Sequence, residues 1–114
     1  MAQYLPGRPQ DGVRELNETL LHAIDSGFLT LGEAMVEPLY GRIERGYQVK
    51  REEIPEKLPD LHRGLQEILG ASAEVMERQI AKDLYGGLHL VFESHADWTL
   101  VEYVNDAKRK ATQK

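Results

Sequence analysis

Histidine and carboxylate side chains occur together at two places where they could bind a metal ion. Glu18 and His22 are four residues apart, so a helix would present both on one face as two ligands. The segment 89–97 holds two histidines, a glutamate and an aspartate around a turn, although its alternation puts some of them on opposite faces. A metal site needs a further ligand, which the sequence does not identify. The favoured interpretation is solvated polar residues, and His62 is likewise expected on the polar side of its helix.

A second kind of site could form around two tyrosines. The tripeptide Leu-Tyr-Gly occurs at 39–41 and again at 84–86, so Tyr40 and Tyr85 would be equivalent if the chain had two related halves. Two phenols about a pseudo-twofold axis could line a small pocket between helical hairpins. The simpler interpretation, which we favour, is that each ring covers a helix end while its hydroxyl stays in water.

The common catalytic motifs are missing from the sequence. The chain has no cysteine, which excludes thiolate catalysis, disulfides and cysteine-ligated metal centres. Ser26, Ser72 and Ser94 fall at expected caps or turns, and none lies in a Gly-x-Ser-x-Gly motif. Phosphate-binding loops and the Gly-x-Gly-x-x-Gly motif are also absent. We therefore expect no enzymatic activity and no cofactor.

Charge and hydropathy narrow the classes of partner. The 114 residues suit one domain, and their net charge is −5. This charge would repel a phosphate backbone, so general nucleic-acid binding is disfavoured. No apolar run approaches the roughly 20 residues that span a bilayer, and residues 1–10 lack the features of a signal peptide. The expectation is a cytoplasmic protein with no nucleic-acid or membrane partner.

Apolar residues at intervals of three and four predict a mainly α-helical fold, a compact bundle of four to five helices. Residues 1–10 contain two prolines and a glycine and are expected to form an extended arm, followed by a single helical domain at 11–112. Pro38 predicts a kink or break in the second helix. Helix starts are predicted at residues with capping character or spacing, namely Asp11, Thr30 with Glu33, Ser72, and Ser94 with Asp97.

The predicted core consists of the apolar stripe of each helix. These inward-facing residues are Val13, Leu16, Leu20 and Ile24; Leu31, Met35, Leu39 and Ile43; Leu58, Leu61, Leu65, Ile68 and Leu69; Val75, Met76, Ile80 and Leu84; and Trp98, Val101 and Val104, with Leu100 and Ala107 as further candidates. Glycines are expected to end the first four helices near residues 27, 46, 70 and 86. Gly32 and Gly64 fall inside predicted helices, where glycine costs about 1 kcal/mol relative to Ala. Close approach of two helices, or a partner surface, would explain this cost.

Two further features concern the relation between the halves of the chain. A shift of 45 residues superimposes the Leu-Tyr-Gly copies and many apolar positions, including Leu16 on Leu61 and Leu20 on Leu65. Related hairpins would produce this match, but so would the helical period of unrelated hairpins, which we favour.

Residues 88–92 are rich in β-forming side chains and could pair with 47–50 as a short β ribbon.

Several short segments occur in an order that resembles a known family: Gly27-Phe28-Leu29-x-Leu31-Gly32, Leu39-Tyr40, Glu53-Ile54-Pro55, Leu65 to Ala73, and Glu77 to Ile80. The order resembles small archaeal helical domains described as Nitrosopumilus-type output domains, over about residues 13–107. The resemblance implies a compact helical module placed downstream of sensing segments, and it supplies no catalytic residues. The chain departs from that arrangement because no sensor domain is expected within it.

We therefore predict a non-enzymatic protein-interaction or regulatory module with a protein partner, and a homodimer. Its contact surface is expected around Met35 and Tyr40, or around Trp98 and Val101. The alternative is a small-ligand or metal-binding sensor with a pocket between hairpins. A module exposes an apolar patch, whereas a sensor hides a cavity with converging polar groups. The side chains expected at the contact surface or the pocket are Met35, Leu39, Tyr40, Tyr85, His89 and Trp98.

Overall fold

Five α-helices and one 3₁₀ helix account for most of residues 9–112, the part of the chain that the computed structural model describes. The prediction of a mainly α-helical bundle is confirmed. The elements in chain order are α1 (Pro9–Leu29), α2 (Glu33–Tyr47), the 3₁₀ helix (Arg51–Glu56), α3 (Leu58–Leu69), α4 (Ser72–Gly87) and α5 (Leu100–Thr112).

The predicted β ribbon is not found, because residues 9–112 contain no β-strand. Tyr47 is the last residue of α2, and Gln48 takes a left-handed conformation with φ of 61°, so the chain turns where the first strand was expected. The segment 88–99 is irregular. Its alternating pattern has a simpler cause, since the apolar side chains that pack against the core are Leu88, Leu90 and Phe92.

Helix α1 lies at the centre of the bundle and packs against α2, α4, α5 and the 3₁₀ helix. Three residues of its predicted stripe, Leu16, Leu20 and Ile24, are fully buried, and the stripe continues to Phe28. The fourth, Val13, is only partly buried. One helix can contact so many neighbours because buried side chains recur every three or four residues along its length. The other predicted stripe residues that are buried are Leu39, Ile43, Leu58, Leu61, Leu65, Met76, Ile80, Leu84 and Val104.

Helices α1 and α4 approach each other closely where one of them carries a glycine. A Cβ atom built on Gly27 of α1 would lie 2.8 Å from Cγ1 of Ile80, and one built on Gly87 of α4 would lie 2.6 Å from Cγ2 of Thr19. Between these two contacts α1 advances from Thr19 to Gly27 while α4 goes back from Gly87 to Ile80, so the helices run antiparallel. Gly27 therefore lies within α1 as a packing residue, and the helix ends two residues after it, at Leu29, near the predicted end.

The close helix approach predicted as one explanation for Gly32 or Gly64 occurs at Gly64, between α2 and α3. Gly64 is buried in α3, and a Cβ atom built there would lie 3.0 Å from the Tyr47 ring at the end of α2. Gly32, by contrast, lies outside the helices with φ of 114°, in the turn before α2. Glycine is needed at position 32 for its backbone conformation, whereas at position 64 it is needed for space.

The first two helices begin and end differently from the prediction. Helix α1 begins at Pro9, before Asp11, and the rest of the predicted arm, residues 1–8, lies outside the described residues. The Thr30 hydroxyl donates to the Gly27 carbonyl at 2.6 Å, so it caps the end of α1 and not the start of α2. Helix α2 has no side-chain cap and continues without interruption past Pro38. The helix tolerates the loss of the Pro38 backbone N–H, so the break predicted near Glu37 does not occur.

Helix α5 also begins later than predicted, because a different pair of residues caps it. The Thr99 hydroxyl and backbone N–H both donate to Oε1 of Glu102, at 2.6 and 2.7 Å. The bond from the Thr99 N–H to Glu102 is one half of the capping box expected of Ser94 and Asp97, five residues along the chain. The Thr99 hydroxyl also accepts the Val101 N–H at 3.2 Å. The buried face of α5 consequently carries Leu100, Tyr103, Val104 and Ala107, and Val101 is only partly buried.

The two Leu-Tyr-Gly copies pack in different environments. Tyr40 lies in the middle of α2 and its ring contacts Phe28 of α1, with 4.8 Å between ring centroids. Tyr85 lies near the end of α4 and its ring contacts Tyr103 of α5, with 6.4 Å between centroids. The copies thus pack against neighbours that do not correspond under the shift of 45 residues.

Substitution of Gly27 by alanine should destabilise the protein by roughly 1–2 kcal/mol, because the new methyl group would collide with the buried Ile80 side chain. Gly86→Ala is the matched control, since no atom lies within 4 Å of a Cβ built there. The control should be neutral or more stable by up to about 1 kcal/mol. Urea unfolding of both variants measures the difference, and equal stabilities would show that the α1–α4 contact tolerates a side chain.

Candidate functional site

Large aliphatic side chains are exposed at one end of the bundle, where the α1–α2 and α3–α4 connections meet. We call this area the apolar end surface. An open groove of about 390 Å³ runs across it, and Leu31, Leu69, Val75 and Met76 are its apolar lining residues. The exposed fractions are 66% for Val75 and 39% for Leu31, so these side chains are available to a partner.

Local backbone geometry explains why this end is left uncovered. Gly32 and Gly70 adopt positive φ angles of 114° and 62°, which turn the chain sharply after α1 and after α3. The first residue of the apolar stripe within α2 is not covered by another helix, whereas the next one is. Met35 in its first turn is 48% exposed, while Leu39 one turn later is buried. The predictions that Leu31, Met35 and Val75 face the core are therefore wrong.

The structure separates the six side chains predicted at a contact surface or pocket. Met35 is 48% exposed in the first turn of α2, and Leu39 belongs to the core. Tyr85 and Trp98 come together, because both rings contact Tyr103. Tyr40 contacts α1 instead, as described above. His89 is exposed and has a left-handed backbone with φ of 61°.

Tyr40 belongs to a polar cluster that joins α1, α2 and the 3₁₀ helix. Its hydroxyl donates to Oδ1 of Asp25, and the Arg51 guanidinium donates to both oxygens of that carboxylate, at 2.6 and 3.1 Å. Burial alone would raise the pKa of Asp25, but the hydrogen bonds from Arg51 and Tyr40 outweigh it and lower the pKa. Burial and the Asp25 carboxylate raise the pKa of the Tyr40 hydroxyl. The cluster keeps a carboxylate charged and a phenol neutral, which suits a structural tie.

Tyr85 belongs to a second and more buried polar cluster. Its hydroxyl lies 2.5 Å from Oδ2 of Asp106 and 3.0 Å from the Tyr103 carbonyl oxygen. Asp106 is only 7% exposed, and it also pairs with Arg109 at 2.5 Å and Lys110 at 3.1 Å. Burial acts to raise the pKa of Asp106, but the Tyr85 hydrogen bond and the Lys110 and Arg109 cations lower it overall. This cluster attaches α5 to α4.

Tyr103 organises the irregular segment before α5. Its hydroxyl accepts from the backbone N–H of His95 at 2.7 Å and lies 3.1 Å from the carbonyl oxygen of the same residue. Its ring contacts the rings of Phe92 and Trp98, and Trp98 stacks on His95 with 3.9 Å between centroids. The polar residues of 89–97 are thus arranged around an aromatic cluster. Sequence analysis missed Tyr103, although it lies three residues after Leu100 on the same helical face.

His62 is not the surface histidine that its sequence position predicted. Its Nδ1 atom lies 2.7 Å from Oε2 of Glu77, a carboxylate that is only 3% exposed. The other oxygen of Glu77 accepts the Leu100 backbone N–H at 3.0 Å. One buried carboxylate therefore joins α3 and α4 to the first residue of α5. No sequence pattern identifies this pair, because 15 residues separate its members.

The candidate metal ligands named from the sequence can be checked against their positions in the structure. Among the described residues, no group of three or more His, Asp or Glu side chains could hold a metal ion. Glu18 and His22 are both exposed on α1. His62 and Glu77 form a pair, which is two ligands short of the usual four-coordinate zinc site.

Comparisons with known protein families, with curated proteins and with solved structures find no match to this chain. Within residues 9–112, no helix has both the length and the apolar character needed to cross a membrane. The class of this protein is therefore defined by its structure alone: it is a mainly α-helical bundle with an exposed apolar surface at one end.

Asp106→Asn should make stability less sensitive to acid. A carboxylate with a lowered folded-state pKa contributes stability above its unfolded value of about 3.9, and loses that contribution as pH falls through the folded value. Urea unfolding at about pH 6 and about pH 3 should therefore show a smaller loss in the variant than in the wild type. Asp83→Asn, at an exposed position, is the control and should behave as wild type. If Asp106→Asn lost as much stability on acidification as the wild type does, the lowered pKa assigned to Asp106 would be contradicted.

Glu77→Leu should destabilise the protein by about 2–4 kcal/mol, because it leaves the buried Leu100 N–H and the His62 ring nitrogen without an acceptor. His62→Ala removes only one of these interactions and should cost about 1–2 kcal/mol. Amide hydrogen exchange separates the two roles. Glu77→Leu should accelerate exchange at Leu100, whereas His62→Ala should leave it unchanged. Equal acceleration would mean that His62 also holds the start of α5.

Proposed function

We propose that this chain is a non-enzymatic protein-interaction module and that it self-associates through the apolar end surface. The observation that carries the proposal is the open groove with Leu31 and Val75 exposed beside it. Large aliphatic side chains grouped on a surface are typical of protein interfaces. Leu29, at the end of α1, is 51% exposed and directly precedes the groove residues Thr30 and Leu31 in the chain.

Charge supports a second copy of the chain as the occupant. In a twofold dimer, residues near the axis face their own copies, so a charged side chain there would meet a like charge. The residues that line the groove are all uncharged: Gly27, Thr30, Leu31, Leu69, Ser72, Val75, Met76 and Gln79. A chain of net charge −5 repels its own copy over most other surfaces. The uncharged groove is where two copies can approach at least electrostatic cost.

The alternative of a small-ligand sensor has one specific observation in its favour. A polar pocket lies between α3, α4 and the segment before α5, and its lining includes His62, Glu77 and Trp98. Its volume is about 150 Å³, compared with roughly 300–1,000 Å³ for typical ligand pockets. It could hold a small polar group only. We therefore give preference to the interaction module.

The proposed role is compatible with what the resemblance to Nitrosopumilus-type output domains implies, namely a compact helical module placed downstream of sensing or regulatory segments. A dimer can serve as such a module because association changes which surfaces are exposed. Membership of that family, a cytoplasmic location and an additional protein partner are parts of the same proposal.

Val75→Asp should convert the dimer to a monomer, because it places a charge at the proposed interface. Val75 is 66% exposed in the single chain, so the substitution should leave the fold intact. Val91→Asp is the matched control, since Val91 is 78% exposed but lies in the segment 88–99, outside the groove lining. Sedimentation equilibrium should give dimers for the wild type and Val91→Asp and monomers for Val75→Asp. A monomeric wild type at the highest soluble concentration would refute self-association.

A further inference from the structure

A second groove lies between the first half of α1 and the 3₁₀ helix. We call it the acidic groove. Its volume is about 480 Å³, and it is open to solvent along its length. The lining residues are Val13, Arg14, Asn17, Glu18 and Leu21 from α1, and Glu52, Pro55 and Glu56 from the 3₁₀ helix. It lies along a different part of α1 from the apolar end surface.

The floor of the acidic groove is apolar. Val13 and Leu21 lie on one face of α1, eight residues apart, and Pro55 faces them from the 3₁₀ helix. Each of the three is partly buried, so part of each side chain remains accessible. Eight residues of helix extend for about 12 Å, which is about two helical turns. The floor is therefore long enough to accommodate two or three apolar side chains from one face of another helix.

The rim of the acidic groove is negatively charged. Glu18 stands on the α1 side, and Glu52 and Glu56 stand on the other. None of these carboxylates has a hydrogen bond or ion pair within the described part of the chain, and Arg14 is the single cation among the lining residues. The neighbouring cation Arg51 is already held by Asp25 at 2.6 Å. The rim consequently has a net negative charge that its own surroundings leave uncompensated.

We propose that the acidic groove binds a cationic amphipathic helix of a partner protein. Leucine-like side chains on one face of such a helix would pack on the apolar floor, and lysine or arginine side chains flanking them would pair with the carboxylates of the rim. The described residues offer no strand edge to pair with an extended peptide, so the helical form is the one that fits. The overall charge of −5 would also speed the approach of a cationic partner.

The groove excludes other classes of partner for the same reasons. Nucleic acid would meet three carboxylates at the rim. A second copy of this chain would bring the same negative rim toward it. A cationic protein segment is the partner whose charge and apolar face both match.

The test is a titration of the full chain, labelled with ¹⁵N, with a synthetic helical peptide that has leucines on one face and lysines on the others. Amide signals of residues 13–21, 52–54 and 56 should shift, and raising the salt concentration should weaken binding. The same peptide with glutamate in place of lysine should bind at least about tenfold more weakly. Equal binding of the two peptides, or shifts confined to other residues, would overturn the proposal. So would concentration-dependent shifts of these signals without peptide, since a second copy would then occupy the groove.

Charge reversal at the rim provides the matched variants. Glu52→Lys with Glu56→Lys should weaken binding of the lysine peptide by about tenfold or more and strengthen binding of the glutamate peptide. Glu44→Lys with Glu93→Lys changes the net charge equally at exposed positions outside the groove, and should leave both affinities within about twofold of wild type. Equal losses in the two double variants would show an effect of net charge alone and refute the site. Val75→Asp should bind the peptide as wild type does, so the outcome is independent of self-association.

Discussion

The close antiparallel contact between α1 and α4 is the constraint on which the rest of the bundle depends. Gly27 and Gly87 allow the two helices to approach each other at two points along their length. Because α1 also packs against α2 and α5, its distance from α4 sets the space available to the other helices. Tight packing of this kind tolerates little change in volume, so a single methyl group at the contact matters. The fully buried residues Leu20, Ile24 and Leu84 fill the space that the contact defines.

Buried polar groups then attach the outer elements to this centre. Glu77 holds His62 and the first residue of α5, while Asp106 holds Tyr85 and the last turn of the same helix. A buried carboxylate is costly without partners, and here each has partners on two sides. These hydrogen bonds connect α5 to α4 at its first residue and at Asp106, in addition to the apolar contacts of Leu100, Val104 and Ala107.

The interior is thus occupied by packing and by satisfied polar groups, and binding is left to the surface. The apolar end surface and the acidic groove both involve α1 but lie at different places along it. Their nearest lining residues on α1 are Leu21 and Gly27, which are about 9 Å apart along the helix axis. One surface is uncharged and suits a second copy, while the other is acidic and suits a cationic partner. A module of this design could connect self-association with recruitment.

The sequence by itself determined the helical class and most of the core, because apolar residues at helical spacing must turn toward a common interior. It also determined that cysteine chemistry is absent and that the chain is acidic. It could not decide which end of an apolar stripe is covered, so Leu31, Met35 and Val75 were misplaced. Nor could it find Glu77 with His62, or Gly27 with Ile80, since those contacts join residues far apart in the chain. Only the tertiary structure decides such pairs, because they depend on how separate helices are positioned in space.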